Sequence, residues 1–298
     1  MNVTKRIRII PKLEIKGSTL IKGVEFEGLR SLGNPSIYAK FYDGYADEIL
    51  VYDVYASLLN REPSFATLRA VAEQTSIPVI YAGGITSPDL ALKALDNGAD
   101  KIGVNTSNFE KPHLISQLAS MMGSQSVVGI VEYNYNLMEQ SHCYTVFGRQ
   151  KTSIAPEEMT KRLLNSGAGE ILFTCIGRDG RFSGLDLDFL AKIRPHVNSP
   201  LIISGGFKSE GDVFEASQLG VDAICISSSI HYDFVKCLLD KGSIEMLKLS
   251  EANEPIELAN FEWLDNGYGF DHFESMLTVS IEKVKQCAVN LAGKNNNS

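Results

Sequence analysis

The sequence predicts a single α/β domain, a closed (β/α)8 TIM barrel built from two repeated half-barrels, with a C-terminal helical extension. Apolar segments of strand length alternate with amphipathic segments of helix length along the first 250 of the 298 residues. In addition, the stretch 79–106 recurs 122 positions later, so that Gly84 corresponds to Gly206 and Thr106 to Ser228. An open doubly wound sheet is the alternative, but an internal duplication favours closure.

The predicted elements follow one another in a regular order. The stretch RIRIIPKLEI alternates charged and apolar residues as a first strand does, and Glu14 lies at its end. A glycine-bearing loop then leads to a helix capped near Asn34 and Pro35. The other seven strands are predicted in EILVYDV, IPVIYAGG, DKIGVNT, SVVGIVE, EILFTCI, PLIISGG and DAICISSS. The fifth of the eight strands ends at Glu132 and is followed by a hairpin.

The chain is expected to divide near residue 250. Residues 1–250 contain the predicted barrel, and residues 251–298 form an accessory segment with one helix and a frayed tail. This segment either covers barrel surface or contacts a partner. Because 44% of the residues are hydrophobic and 21% are charged, the chain can bury a large core.

Composition argues against several classes of function. The net charge of -8 argues against nucleic acid as a partner. The sequence has no run of eighteen apolar residues and no signal-peptide pattern, so we expect a cytoplasmic protein without membrane contact. The five cysteines show no CxxC spacing and the five histidines show no HxH or HExxH spacing. We therefore expect reduced thiols, no metal site and no cofactor.

Each copy of the repeat ends its strands in small residues that can hold an anion. A Gly-Gly pair that includes Gly84 or Gly206 permits close approach of the backbone. The next strand ends in polar residues at the start of a helix, where amide and hydroxyl donors are free. Because ligands of such barrels gather at the carboxyl ends of the strands, two phosphate sites are predicted. The alternative is that the glycines only turn the chain.

Six segments carry a resemblance to a known family. They are RIIPKLEIKGSTLIKGVEF, YAGGI, GADKIGVNT, GSQSVVGIVE, GAGEILFTCIGRDGRFSG and SGGF. Between residues 5 and 235 they recur in the order and spacing of the cyclase subunit of imidazole glycerol phosphate synthase, which the chain resembles. The resemblance implies a glutaminase partner, docked where the barrel strands begin. Ammonia from this partner would pass through the barrel core to a phosphorylated small-molecule substrate, a bisphosphate, at the other face.

The resemblance also implies roles for individual residues. Phosphate binding falls on Gly84, Asn105, Thr106, Gly180, Gly206, Ser227 and Ser228. The substrate pocket includes Lys22 and Gly23, which match a mobile loop that closes over substrate, together with Thr174, Asp179 and Ser204. An ammonia gate falls on Arg8, Glu48, Lys101 and Glu170, and a contact with the glutaminase falls on Asp100. The alternative for the four-charge ring is ordinary salt bridging at the end of the barrel.

Three departures from the family pattern concern the chemistry. The family uses two aspartates as general acid and base, and here those positions are Glu14 and Glu132. Lys12 replaces a small cysteine and brings a cation into the substrate pocket, where it could pair with Glu14 and hold it ionised as a base. Gly177 replaces an acidic residue.

These departures favour an ammonia-using synthase with a changed acceptor. The stretch VYASLLNREPSF is similar to paralogues that accompany surface-sugar amidotransferases, so we expect amidination of a nucleotide-sugar or surface sugar. The first alternative is a histidine-biosynthesis cyclase, which makes imidazole glycerol phosphate and AICAR from PRFAR. The second alternative is a non-catalytic ammonia conduit that serves a separate amidotransferase.

Overall fold

The computed structural model describes residues 6–243, 246–247 and 279–294. The strands in this part of the chain are β1 (Arg8–Lys16), β2 (Thr19–Val24), β3 (Glu27–Gly33), β4 (Ile49–Asp53), β5 (Val79–Ala82), β6 (Lys101–Val104), β7 (Val127–Tyr135), β8 (Ser141–Thr145), β9 (Gln150–Lys151), β10 (Glu170–Cys175), β11 (Leu201–Ser204) and β12 (Ala223–Ile226). The α-helices are α1 (Pro35–Tyr42), α2 (Val54–Leu58), α3 (Phe65–Ala72), α4 (Pro88–Asp96), α5 (Thr106–Glu110), α6 (Leu114–Met122), α7 (Pro156–Asn165), α8 (Leu187–Ile193), α9 (Gly211–Gln218), α10 (Ser228–Asp240) and α11 (Ile281–Lys294).

Eight of these strands form a closed parallel barrel, which confirms the predicted fold. Around the barrel they run β1, β4, β5, β6, β7, β10, β11, β12, and β12 pairs again with β1. Alternation along each strand divides the apolar residues into two layers. On β1, Ile9 and Leu13 pack in the layer shared with the helices, whereas Ile10 packs inside the barrel.

The loop predicted after the first strand is a β-hairpin instead. Strand β2 pairs antiparallel with β1 and with β3, and the turn between β2 and β3 places Glu25 and Phe26 at φ values of 52° and 65°. Neither residue type favours a positive φ, so no residue here indicates a turn. The predicted helix start is confirmed, because Asn34 Oδ1 accepts a hydrogen bond of 2.9 Å from the Ser36 amide.

A repeated hydrogen bond shows the duplication at the ends where strands begin. An aspartate ahead of one strand accepts from the first amides of a neighbouring strand: Asp47 from Ile9, Asp100 from Val79, and Asp222 from Leu201, each at 2.8 Å. Asp100 and Asp222 are corresponding positions of the 122-residue repeat. The same aspartate-to-amide hydrogen bond therefore joins neighbouring strands in both half-barrels.

Helix α11 packs on the barrel. Its buried residues Ile281, Val284 and Ala288 belong to the same apolar layer as buried residues of the outer helices, such as α1, α9 and α10. The Nζ of Lys285 lies 2.6 Å from Asp47 Oδ1, near the start of β1. The division at residue 250 and the frayed tail stay predictions, because residues 248–278 and 295–298 lie outside the described part. In the described ranges no helix is long and apolar enough to cross a membrane.

Candidate active site

Polar and apolar side chains alternate in layers along the inside of the barrel. From strand start to strand end, the inward positions read Arg8, Ile10, Lys12 and Glu14 on β1, Glu48, Leu50 and Tyr52 along β4, and Glu170, Leu172 and Thr174 on β10. Each of these three strands therefore passes from a charged end through an apolar middle to a polar end. Strand ends are where barrels of this fold place their sites.

A ring of four charged side chains closes the end where the strands begin. Lys101 Nζ lies 2.9 Å from Glu48 Oε2 and 2.6 Å from Glu170 Oε1. Arg8 pairs with Glu48 and, at 2.6 Å, with Glu170 Oε2. Burial alone would raise the pKa of Glu170, but hydrogen bonds from Arg8 and Lys101 outweigh it and lower that pKa. The structure thus brings the four predicted gate residues into one ring without net charge.

The middle of the barrel is apolar. Its lining includes Ile10, Leu50, Ile80, Ala82, Val128, Ile130, Leu172, Ile202, Ala223 and Cys225. An ion in this layer would lose its hydration without gaining a partner, whereas a small neutral molecule would lose much less. The layer therefore separates the charged ring from the polar strand ends by a stretch in which an ion is unfavourable.

Glu14 lies in a square of alternating charges at the strand ends. Its Oε1 is 2.7 Å from Lys12 Nζ and its Oε2 is 2.5 Å from Lys22 Nζ. Asp179 closes the square, at 2.6 Å from Lys22 and 3.5 Å from Lys12. All four side chains are buried. Burial favours the neutral carboxyl of Glu14, but the two ammonium groups outweigh this and lower its pKa.

Glu132 lies in a different environment at the end of β7. Its Oε1 accepts a hydrogen bond of 2.6 Å from the Tyr52 hydroxyl, and its Oε2 has no hydrogen-bond partner. Because the side chain is fully buried, desolvation raises the pKa of Glu132 to about 7, despite the hydrogen bond from Tyr52. The two candidate catalytic carboxyls are therefore different in charge near neutral pH: Glu14 is ionised and Glu132 is partly protonated.

Two hairpin turns cover these carboxyls. Phe26, in the β2–β3 turn, stacks on Phe147, in the β8–β9 turn, with ring centroids 4.1 Å apart. Val146 and Phe147 also have positive φ values, of 52° and 51°. The strained backbone at both turns is held by this aromatic contact, and strain of this kind is common at functional sites. With the turns in contact, Glu14 and Glu132 are 1% and 0% exposed.

The first predicted phosphate site borders an open cavity of about 610 Å³. Gly84 has a φ of +70°, and a Cβ there would lie 2.6 Å from the Cβ of Ala56. Asn105 donates to the Tyr144 carbonyl at 3.2 Å, and the Thr106 hydroxyl accepts from the Val146 amide at 2.9 Å. The polar side chains predicted to bind phosphate thus also anchor the β8–β9 hairpin.

The second predicted phosphate site repeats this backbone. Ser227 has φ and ψ of -129° and -90°, close to the -117° and -85° of its repeat partner Asn105. Gly206 has a φ of +91°. Gly180 lines a second cavity together with Gly206, Ser227 and Ser228. A Cβ on Gly180 would lie 2.6 Å from the Gly23 carbonyl oxygen. Ser228 begins α10 beside them. The structure brings these predicted residues together, and their role in phosphate binding stays a prediction.

The remaining predicted residues lie in distinct places. Thr174 on β10 lies opposite Glu132 on β7 and opposite Ser204 on β11. The hydroxyls of Thr174 and Ser204 therefore belong to the polar layer at the strand ends. Asp100 uses its carboxylate to bond the Val79 amide, which is a structural role on the strand-start side. At Gly177, a Cβ would meet Asn134 Oδ1 at 2.7 Å, so an acidic side chain would require Asn134 to move.

Sequence reasoning missed several groups around the carboxyls. Tyr52, the hydrogen-bond donor to Glu132, could have been found from its inward position two residues after Leu50. His231 bonds the Lys12 carbonyl at 2.8 Å and the Tyr42 hydroxyl at 2.7 Å, and no sequence spacing indicates this. Among the described residues, no group of three or more His, Cys, Asp or Glu side chains could hold a metal ion.

Comparison with known proteins gives consistent matches. The family described as "Histidine biosynthesis protein" matches residues 8–236. A Streptomyces griseus relative is 36% identical over 251 residues, covering 84% of this chain and 98% of the relative. A Streptomyces coelicolor relative is 36% identical and covers 85% and 100%, and one from an Exiguobacterium species is 39% identical and covers 75% and 88%. All three are named "Imidazole glycerol phosphate synthase subunit HisF".

Proposed function

The chain belongs to the histidine biosynthesis family, and from this premise we propose that it is the cyclase subunit of an ammonia-using synthase. The observation that carries the proposal is the pair of buried carboxyls at the ends of β1 and β7, whose pKa values are moved in opposite directions. Two carboxyls held in different protonation states can act as base and acid in one reaction. Glu14 is the base and Glu132 is the acid.

The substrate is a small molecule with two phosphate groups. In support, the two glycine-bearing strand ends share one backbone conformation, and each lies beside the start of a helix, α5 or α10. Crystals grown in phosphate are expected to hold one ion near Gly84 and Thr106 and a second near Gly206 and Ser228. Both sites empty and sterically blocked in such crystals would contradict this assignment.

The nitrogen source is ammonia from a glutaminase subunit. The ring of Arg8, Glu48, Lys101 and Glu170 admits ammonia from the strand-start face, and the apolar layer carries it to the polar layer. The glutaminase binds that face, with Asp100 at the contact. A purified partner glutaminase that neither binds nor gains activity at micromolar concentration would refute this part.

The surface-sugar function expected from the sequence receives no support from the relatives reported above, all of which carry the imidazole glycerol phosphate synthase name. We therefore take the histidine-pathway reaction, PRFAR to imidazole glycerol phosphate and AICAR, as the first candidate. The test is steady-state turnover of PRFAR with ammonium as nitrogen source. Turnover near the typical enzyme value of about 10 per second is expected, with at least about a hundredfold loss in Glu14→Gln and in Glu132→Gln.

A changed acceptor is the second candidate, and one observation favours it. Both oxygens of Glu14 are occupied by lysines, and Lys12 stands where the family pattern has a small residue. In that case PRFAR turnover would be at least about a hundredfold below 10 per second, because small misplacements of catalytic groups cost that much. Replacing Glu14 and Glu132 together by aspartate would then recover part of the loss. Near-normal turnover by the unmodified protein would exclude this candidate.

A further inference from the structure

Glu14 has two counter-ions that come from different parts of the fold. Lys12 lies on the same barrel strand, two residues earlier, and its Nζ is 2.7 Å from Glu14 Oε1. Lys22 lies on the β2–β3 hairpin, and its Nζ is 2.5 Å from Glu14 Oε2. Both lysines also face Asp179. Two positive and two negative charges balance inside one buried cluster, as buried ion pairs require.

Lys12 is fixed by the barrel itself. Its strand is hydrogen-bonded on both sides, with Lys12 opposite Leu50 on β4 and its neighbour Pro11 opposite Ile226 on β12. Its carbonyl accepts from Ser227 Oγ at 3.1 Å and lies 2.8 Å from His231 Nε2. The backbone of Lys12 is therefore held by barrel elements, and its ammonium also lies 5.3 Å from the centroid of the Phe26 ring in the hairpin turn.

The hairpin lysine has to leave for a substrate to arrive. Glu14 is 1% exposed, and Lys22 Nζ lies between it and Asp179, so no substrate atom reaches the carboxylate in this arrangement. Displacement of the hairpin would remove one positive charge from two buried carboxylates. Without another cation, a buried carboxyl in that state would take up a proton, because desolvation favours its neutral form.

We propose that Lys12 is a positioning residue, a permanent counter-ion in the barrel wall that keeps Glu14 ionised whether or not Lys22 is present. Glu14 is thereby restricted to accepting a proton, and Glu132 is left as the proton donor. The base and acid roles rest on the proposed function, whereas the counter-ion role does not. The charged and titratable groups that face Glu14 are Lys12 on β1, Lys22 on β2, Tyr52 on β4, Glu132 on β7, Asp179 after β10, Cys225 on β12 and Tyr232 on α10.

The experiment measures the protonation of Glu14 directly, without substrate. The full chain is labelled with 13C at the glutamate side-chain carboxyl, and Glu14→Gln identifies the Glu14 signal. The chemical shift is followed from pH 5 to pH 8 in the unmodified protein, Lys12→Met, Lys12→Arg and Lys22→Met. Lys192→Met, at an exposed position on α8, is the control for loss of one positive charge.

The variants are expected to separate the two lysines. In Lys22→Met, Lys12→Arg and the control, Glu14 does not titrate between pH 5 and pH 8. In Lys12→Met its midpoint rises into this range, so that the Glu14 signal titrates between pH 5 and pH 8. Titration of Glu14 within this range in Lys22→Met, or no titration within it in Lys12→Met, would overturn the proposal. If Lys12→Met does not fold, Lys22→Met alone decides. Absence of PRFAR turnover would contradict the proposed function and leave this measurement unaffected.

Discussion

The buried carboxyl of Glu132 makes a prediction about the pH dependence of stability. Replacing Glu132 by glutamine keeps the shape and removes the ionisable group. The carboxyl has a pKa of about 7 in the folded protein, against a usual value of 4.5, because burial disfavours its charge. Between these two values the folded state holds a proton that the unfolded state has released. Raising the pH therefore destabilises the unmodified protein through this group, and the destabilisation is complete above pH 7.

The magnitude follows from the difference between the two pKa values. For pKa values of 7 and 4.5, the stability contributed by Glu132 falls by about 2.5 kcal/mol between pH 5 and pH 8. Glutamine does not titrate, so Glu132→Gln should gain about this much relative to the unmodified protein over the same interval. Below pH 4.5 the two proteins should differ little, because both then carry a neutral side chain that can accept a hydrogen bond from Tyr52.

The assay is urea unfolding of both proteins at pH 5 and pH 8. Glu73→Gln, at an exposed position at the end of α3, is the control for replacing a surface glutamate by glutamine. The result that refutes the reasoning is a difference between Glu132→Gln and the unmodified protein that stays constant from pH 5 to pH 8. In that case Glu132 would be ionised in the folded protein at pH 5.

Three further predictions concern the frame around the site. Glu170→Gln should destabilise by about 3 kcal/mol at pH 7, because Arg8 and Lys101 lose a buried partner. This loss should be full above the usual carboxyl pKa and should shrink as the pH falls below it through the lowered pKa of Glu170; urea unfolding at pH 7 and pH 3 measures this, and an equal loss at both would contradict it. Gly180→Ala should destabilise by about 1–3 kcal/mol because its φ is +71° and its Cβ would meet the Gly23 carbonyl, whereas Gly44→Ala, with open space, should not; equal thermal midpoints would refute the reasoning. Asp100→Ala and Asp222→Ala should each destabilise in urea unfolding by about 1.5–3 kcal/mol, since both break a hydrogen bond to the first amide of a neighbouring strand, and the loss should be larger for Asp222, which is buried and also lies 3.7 Å from Arg194; no loss in either variant would contradict the reasoning.

Much of the site could be predicted because its residues lie at regular strand positions. The structure brings Arg8, Glu48, Lys101 and Glu170 into one cluster, since each lies at or beside the first residue of a barrel strand. Lys12 does pair with Glu14, at 2.7 Å, and the two residues share a face because they are two apart on a strand. The roles of these residues in gating and catalysis stay predictions.

Other features depended on contacts that no local pattern encodes. The sequence predicts a loop in place of the β2–β3 hairpin, because Glu25 and Phe26 are unusual turn residues. Their conformation is supported by the stacking of Phe26 on Phe147, which is distant in the chain. Tyr52 and Glu132 meet across the barrel, 80 positions apart. Such a meeting depends on which strands are neighbours and in what register.

The sequence by itself determined the barrel and the strand ends that carry the polar residues, since these follow from periodicity within a dozen neighbouring residues. It also determined the duplication, because the two copies are recognisable 122 positions apart. Only the tertiary structure decided that Glu14 pairs with two lysines, which also face Asp179, while Glu132 accepts a hydrogen bond from the hydroxyl of one tyrosine. The physical reason is that the charge of a buried carboxyl depends on desolvation and on its neighbours within a few ångströms. Closure of the barrel brings those neighbours from strands, loops and hairpins that are far apart in the chain.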